Sequence, residues 1–235
     1  MKSPFEFYLA FLRRLCPPPA LPPAPYPDEF ISYFQARGIA AETYSAEYIM
    51  PLTPNPSSEE NAKFKALMRS SRISQDTGVA WIQRGILFEY PCCAESFAAA
   101  RVFQFAENFI KNYEGDVPKM IVPKKGRVNS GQHLYILLSE EKKLNKHTVT
   151  IDIIEGQAKT LKLMQDFKTA GIADEHAVIG LQGAPNFIGC PETQTIVWRN
   201  RHVNLWFDAD SVDKPTVAIE EIKPPRLPLR KGRAW

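Results

Sequence analysis

The chain has 235 residues, of which 44% are hydrophobic, and a formal net charge of +3. This length allows one large domain or two small ones with a substantial core. No apolar run reaches the roughly 18 residues of a membrane span, and a charge so close to neutral does not by itself indicate a nucleic-acid partner.

The N-terminal region is expected to be a short helix followed by a spacer. Phe5, Leu9 and Leu12 have helical spacing, and the arginines of this segment follow its apolar run, so a secretory signal is not expected. Residues 17–27, PPPALPPAPYP, predict an extended polyproline linker, because proline fixes φ and lacks a backbone donor.

Four cysteines are scattered through the chain, at Cys16, Cys92, Cys93 and Cys190. They form no CxxC motif, and the adjacent pair has no histidine nearby, so a zinc site is not expected. Scattered thiols in a chain of this size favour a reducing, cytoplasmic location, where cysteine acts as a small apolar residue.

Residues 28–146 predict a mixed α+β subdomain. The segment DEFISYFQARGI has helical spacing and ends at Gly38, and residues 59–70 predict a second helix. The segment WIQRGILFEY, at 81–90, predicts two strands or one bulged strand around Gly85. Short strands are predicted for PKMIVPKKG and QHLYILL, which are flanked by turn residues.

The pattern changes at residue 147 to alternating strands and helices. Residues 149–154 alternate in the manner of a strand, and apolar residues then recur at helical spacing until Gly171. Two further apolar strands are predicted at 177–181 and 203–207. This order predicts an α/β fold with a mainly parallel sheet flanked by helices.

Three acidic residues follow the ends of these predicted strands. Glu155 comes after the first strand, and Asp208 and Asp210 come after the last. Because the carboxyl ends of parallel strands meet at one edge of a sheet, the three carboxylates are expected to converge there. Carboxylate oxygens suit a hard cation such as Mg²⁺. The sequence therefore predicts a divalent-metal site, although each acid taken alone is also typical of a solvated turn.

Three segments carry a resemblance to a known family. IDIIEGQAKTLKLM, AVIGLQGAPNFI and VNLWFDAD resemble the Toprim domain of bacterial primases, topoisomerases and certain nucleases, and most of all the Toprim-like domains of phage and plasmid replication proteins. The shared features are an acidic EG-x-x-K turn, a glycine-bearing strand end and a final FDxD. The resemblance implies that Glu155 is the family's glutamate, acting in acid/base chemistry or metal binding. It also implies that Asp208 and Asp210 bind Mg²⁺ or Mn²⁺.

Two features depart from the primase pattern. Bacterial primases have a further aspartate four positions after the glutamate, where this chain has Lys159. A lysine there is more similar to the topoisomerase and mobile-element versions, and it would contact a phosphate or remain a solvated charge. After Asp210, a proline-rich basic segment, KPPRLPLRKGRAW, replaces the helix and strand that are usual in the family.

The front half resembles the part of primases that lies just ahead of Toprim. The segments GVAWIQRGILFEY, ARVFQF, VPKMIVP and HLYIL carry this likeness. In primases, basic residues of this part line a groove for template and nucleotide. The resemblance therefore implies phosphate contacts for Arg101 and Lys119, and also for Arg84, since such cations neutralise the nucleic-acid backbone. Ordinary surface ion pairs are the alternative for Arg84 and Arg101.

Taken together, the resemblance implies a primase-like nucleotidyltransferase in the replication of a mobile element. It would act on single-stranded DNA or RNA with nucleotide triphosphates and away from membranes, with a replicative helicase as a candidate partner. A Toprim nuclease that hydrolyses phosphodiesters is the first alternative. A non-catalytic nucleic-acid-binding replication module is the second.

The expected organisation has four parts. They are an N-terminal helix and linker (1–27), a primase-like subdomain (28–146), a Toprim-like domain (147–222) and a basic tail (223–235). His133, beside a predicted strand, is expected to be structural. Trp206 is expected to fill the core; it adjoins the acidic end of its strand, where stacking on a base is the alternative.

Overall fold

The computed structural model describes separate segments of the chain. It covers residues 28–44, 49–52, 85–91, 97–102, 120–121, 132–139, 144–146, 149–182 and 189–206, and the single positions Ala10, Glu59, Ala62, Lys63, Ala66, Arg69 and Phe187. Most of the N-terminal linker region, residues 207–222 and the basic tail lie outside it. None of the described helices has the length and apolar character that a bilayer span needs.

The described helices and strands follow one another as two helices, four strands, and then a second group of strands around one long helix. Their bounds are α1 (Asp28–Gln35), α2 (Ala41–Tyr44), β1 (Ile49–Leu52), β2 (Gly85–Glu89), β3 (Ala98–Val102), β4 (Met120–Ile121), β5 (Tyr135–Leu138), β6 (Thr150–Glu155), α3 (Gln157–Thr169), β7 (His176–Leu181) and β8 (Val203–Trp206). Short 3₁₀ turns lie at Ala173–Glu175 and Pro191–Gln194. The described positions between 59 and 69 are also helical, as predicted.

Helix α1 packs an aromatic face into the core and ends just before Gly38. Phe30 and Phe34 are buried at helical spacing. Gly38 has a φ of 63°, a left-handed conformation that glycine adopts at little cost. Its carbonyl accepts a hydrogen bond from Nε2 of Gln165 at 3.1 Å. The predicted stop signal is therefore confirmed, and the turn is attached to α3.

The front sheet is antiparallel, with strand order β1-β2-β3-β4. Strand β2 lies inside this sheet and is buried along its whole length. Gly85 begins β2 and is level with Leu52 on one side and Val102 on the other. Within the described residues, the segment predicted as two strands or one bulged strand is a single strand.

The second sheet has the order β5-β7-β6-β8. Strand β6 runs parallel to both β7 and β8, and β5 runs antiparallel to β7. The predicted mainly parallel α/β sheet, preceded by a mixed α+β part, is confirmed. Strand β5 comes before residue 147, so this sheet includes a strand from ahead of the predicted domain boundary. The division into domains stays a prediction.

Helix α3 connects β6 to β7 and lies on one face of the second sheet. Ala158 and Leu161 belong to a core that α1, the front sheet and β5 share, whereas Met164 and Phe167 pack over β7. Aromatic contacts join these parts, and the rings of Phe88 and Tyr135 meet edge to face with centroids 6.1 Å apart. One continuous apolar core therefore holds the two sheets and α3 together.

The other face of the second sheet is covered by the segment that contains the second 3₁₀ turn. Glu192 of that turn is buried, and its carboxylate accepts hydrogen bonds from Nδ1 of His133 at 2.6 Å and from the backbone N–H of Leu134 at 3.2 Å. His133 thus has a structural contact. Burial, together with the charge of Glu192, raises the pKa of the Cys190 thiol to about 12.

Strand β7 approaches α3 so closely that only glycine fits at position 180. A Cβ placed on Gly180 would lie 2.2 Å from Oγ1 of Thr160. Thr160 is fully buried, and its hydroxyl donates a hydrogen bond to the carbonyl of Gly156 at 2.8 Å. The glycine of this strand therefore has a packing role, since it fixes the distance between the helix and the sheet.

Candidate active site

Three parallel strands, β6, β7 and β8, end at the same side of the second sheet, which we call the carboxyl edge. Strand β6 ends at Glu155, which is level with Leu181 at the end of β7. Ile154 is level with Trp206 at the end of β8. Glu155 is half-buried and is the last residue of its strand, whereas the sequence predicted that it would follow the strand. Because β6 lies between β7 and β8, Glu155 occupies the middle of the carboxyl edge.

Gly156 makes the sharp turn from β6 into α3. Its φ is 89° and its ψ is 147°, a conformation that residues with a Cβ rarely adopt. Its backbone N–H donates a hydrogen bond to the carbonyl of Leu181 at 2.8 Å, which ties the turn to the end of β7. Among the described residues other than its chain neighbours, a Cβ at Gly156 would meet no atom within 4 Å. Glycine is therefore needed here for its backbone conformation and not to avoid a clash.

Helix α3 begins at the carboxyl edge and brings positive charge there. Gly156 gives the helix no side-chain cap, and the first N–H groups of a helix together carry a partial positive charge. Lys159 lies in this first turn and is exposed. Both features favour an anionic group at this end of α3.

Tyr90 reaches the carboxyl edge from the front sheet. It follows β2 and is buried, and its hydroxyl accepts hydrogen bonds from the side-chain amides of Gln157 (2.7 Å) and Gln182. Gln157 is the first residue of α3, and Gln182 directly follows β7. One hydroxyl group from the front sheet therefore fixes the two segments on either side of the turn at Gly156.

Asp152 is a fully buried carboxylate in the middle of β6. It accepts hydrogen bonds from Nδ1 of His176 at 2.6 Å, Nδ2 of Asn204 at 2.8 Å and Nε1 of Trp206 at 2.8 Å. A buried carboxylate is costly unless its oxygens are hydrogen-bonded, and both oxygens have partners here. Asp152 therefore joins the three parallel strands near the middle of β6.

Arg101 lies on β3 of the front sheet, where it is level with Ile86. Its guanidinium carbon is 5.7 Å from the centre of the Tyr33 ring, and that of Arg37 is 3.8 Å from the same centre. The Nε of Arg101 is buried and has no hydrogen-bond partner among the described residues. Two cations thus share one aromatic ring between α1 and β3, and one of them has unused hydrogen-bonding capacity.

The predicted site residues divide into two groups. Glu155, Lys159 and Arg101 are described, whereas the remaining four lie outside the described residues: Arg84, Lys119, Asp208 and Asp210. Glu155 and Lys159 are brought together at the junction of β6 and α3, and Arg101 lies on the other sheet. The described part of the chain contains no cluster of three or more His, Cys, Asp or Glu side chains suited to a metal. The three-acid site includes two aspartates beyond that part and stays a prediction.

Sequence reasoning missed the polar groups that support this edge. Asp152 carried a usable signal, because it is an acid inside the otherwise apolar strand segment TIDIIE, and a buried acid must have hydrogen-bond partners. Tyr90, Gln157 and Gln182 carried no such signal. Their contact joins residues that are far apart in sequence and depends on how the two sheets pack.

Comparison with known proteins gives one informative match. No known family model matches the chain, and no match is found among curated proteins. The crystal structure of the Aquifex aeolicus primase, comprising its zinc-binding and RNA polymerase domains, is similar with a TM-score of 0.51 and 18% sequence identity. The match covers 88% of this chain and 49% of the primase chain, so this chain spans about half the length of that structure. A likeness at this level of identity shows the fold, and the fold of this protein is primase-like.

Proposed function

We propose that the protein is a Toprim-type nucleotidyltransferase that extends a nucleic-acid chain on a single-stranded template, as primases do, in the replication of a mobile element. The observation that carries this proposal is the composition of the carboxyl edge. The middle strand of the parallel sheet ends in Glu155, and the neighbouring strand leads directly toward Asp208 and Asp210. The primase-like fold supports the same function.

Chain connectivity is compatible with a meeting of the three acids. Trp206 is level with Ile154, the residue before Glu155. Asp208 follows Trp206 by two residues and Asp210 by four, and such spacings allow at most about 7 Å and about 14 Å between Cα atoms. Adjacent strands are about 4.8 Å apart. Successive side chains of a strand point to opposite faces of the sheet, so Glu155 points away from the face of Ile154. A shared ion would therefore lie beyond the strand ends rather than on one face of the sheet.

The chemistry of these residues fits Mg²⁺ or Mn²⁺. Such ions prefer a few carboxylate oxygens, with water and substrate phosphates completing their coordination. Gly156 has no side chain, so the space beside Glu155 would admit a hydrated ion. When bound, the metal would stabilise the charge that develops on the transferred phosphate and favour ionisation of the attacking 3′-hydroxyl. The protein's part is to hold Glu155, Asp208 and Asp210 around that space.

Basic residues at two places would bind phosphates. Lys159 adds a cation at the start of α3, and Arg101 lies on the front sheet, where no described residue accepts a hydrogen bond from its Nε. Arg84 and Lys119 directly precede β2 and β4, the strands on either side of Arg101. Arg101 is level with Ile86, which is about 13 Å along the chain from Tyr90 at the carboxyl edge. A nucleic-acid strand would be long enough to touch both places.

The direct test is extension of a labelled single strand with nucleotide triphosphates and Mn²⁺ or Mg²⁺. The wild-type protein is expected to lengthen the strand, and Glu155→Gln and Asp208→Asn are each expected to abolish the product, since each removes a charge at nearly constant shape. Glu175→Gln is the matched control, because Glu175 is exposed and precedes the opposite end of β7. Synthesis by either of the first two variants would contradict the assigned roles.

The same assay separates the alternative activities. Shortening of the strand in the absence of nucleotides would identify a Toprim nuclease instead. Salt-sensitive binding that survives loss of all three acids, with neither extension nor shortening, would identify a non-catalytic nucleic-acid-binding module.

A further inference from the structure

Trp206 presents its side chain in an unusual way for a surface residue. It ends β8 with 45% of its surface exposed, yet its only polar atom, Nε1, donates a hydrogen bond to buried Asp152 at 2.8 Å. Aromatic residues at a surface usually keep the polar tip in water and bury the carbon body. Trp206 does the reverse and turns ring carbons toward solvent.

The group that anchors this ring is itself fixed. Asp152 is fully buried, and His176 and Asn204 hold its carboxylate from the two neighbouring strands. Because the ring is held before any ligand arrives, little side-chain freedom is lost when one binds. The result is a flat apolar surface with a defined orientation.

The position of the ring connects it with the carboxyl edge. Trp206 is level with the residue before Glu155 and precedes Asp208 by two residues. Val203 and Leu205, the other exposed apolar residues of β8, are related to it by odd spacing and so belong to the opposite face of the sheet. Glu155 shares the face of those two residues, since it is next to Ile154, but a nucleotide with its phosphates beyond the strand ends would have its base within reach of Trp206.

We propose that Trp206 is a stacking surface for a nucleobase, with Asp152 as its positioning residue. This inference rests on the proposed function, because the base belongs to the strand or nucleotide that the carboxyl edge binds. Stacking on an aromatic ring tolerates every base, since each has a flat π-face. The contact would add affinity without strong sequence preference.

The test compares two ligands that differ only in their bases. Fluorescence anisotropy would measure binding of labelled oligothymidylate and of an abasic oligomer of equal length, which keeps the phosphates. Wild-type protein is expected to prefer oligothymidylate. Trp206→Leu should weaken that binding by about 5- to 150-fold, with the abasic oligomer unaffected, and Trp206→Phe, which keeps an aromatic ring but loses the Nε1 hydrogen bond to Asp152, should weaken it less. Competition with thymidine triphosphate would show whether the base comes from the strand or from the nucleotide.

Trp198 provides a matched control within the same chain. It is half-buried, donates Nε1 to the carbonyl of Thr193 at 2.7 Å, and packs against Phe187 on the covered face of the sheet. Trp198→Phe is expected to leave both affinities unchanged. Quenching of intrinsic fluorescence by oligothymidylate should persist in Trp198→Phe and decrease in Trp206→Phe.

The outcomes separate this inference from the function on which it rests. If the wild type binds and extends the strand but Trp206→Leu keeps the full preference for bases, only the stacking role is wrong. Equal loss for both oligomers, with an unchanged melting temperature, would assign Trp206 to phosphate contacts and overturn the proposal. A dimer that Trp206→Leu abolishes, with base preference intact, would make the ring a protein contact and also overturn it. Failure of the wild type to bind any of the ligands would overturn both proposals.

Discussion

The hydroxyl of Thr160 occupies the space in which a methyl group on Gly180 would have to lie. The separation between Oγ1 and a Cβ at that position is 2.2 Å, and the Thr160 Cβ would be 3.3 Å away. This contact sets how closely α3 packs on the parallel sheet.

Gly180→Ala is therefore expected to destabilise the protein by about 1–3 kcal/mol, as overpacking of a filled core does. The free energy of unfolding in urea measures it. Thr160→Ala removes Oγ1. In that background, Gly180→Ala should lower the free energy of unfolding by clearly less, because the two positions are coupled. An equal cost in both backgrounds would mean that the close contact is not the cause.

Gly156→Ala tests backbone strain without a steric clash. The φ of 89° disfavours any residue with a Cβ, although open space surrounds the position. We expect a loss of about 1–3 kcal/mol in the free energy of unfolding and weaker Mn²⁺ binding, because Glu155 precedes the turn. Gly189→Ala is the control, since the Cβ there would meet, within the described part of the chain, only Oε1 of Gln132 at 4.0 Å. Equal stability of the two variants would contradict the assigned strain.

Tyr90→Phe removes the hydroxyl that the amides of Gln157 and Gln182 share. Because Gln157 is buried, its unpaired amide should cost about 1–3 kcal/mol of unfolding free energy. Hydrogen exchange of the first amides of α3 should also become faster. In a Gln157→Leu background, Tyr90→Phe should lower the free energy of unfolding by less, because the amide of residue 157 is already absent. A Tyr90→Phe protein with unchanged exchange at α3 would show that the hydroxyl does not hold this helix end.

The Glu192–His133 contact predicts a dependence of stability on pH. Burial by itself would raise the pKa of Glu192, but hydrogen bonds from His133 and backbone N–H groups, with the charge of His133, outweigh it and hold this pKa below its ordinary value of 4.5. The folded state therefore binds this proton less readily than the unfolded state. Glu192 thus contributes stability that is present above about pH 4.5 and is lost as the pH falls through the lower folded value.

Comparison of the wild type with Glu192→Gln in urea at several pH values checks this prediction. The wild type should be more stable near neutral pH, and the difference should narrow in acid. A difference that stays constant across this range would contradict the assignment.

The sequence predicted the strands and the helix of the second sheet better than the polar side-chain contacts at its carboxyl edge. Residues 149–154 and the helical spacing up to Gly171 identified β6 and α3, because strand and helix periods are local properties. The position of Glu155 at a sheet edge followed from strand order in the same way. The contact of Tyr90 with Gln157 and Gln182 was missed, because it depends on the docking of two sheets whose relative placement no local pattern encodes.

Strand β5 has a consequence for anyone who shortens this protein. Strand β5 pairs with β7, and β7 is buried along almost its whole length. A fragment beginning at residue 147 would lack β5, so the hydrogen-bonding groups of β7 and its row of apolar side chains would be left open to other chains. We expect such a fragment to aggregate when expressed, and one that begins ahead of β5 to stay dispersed for longer.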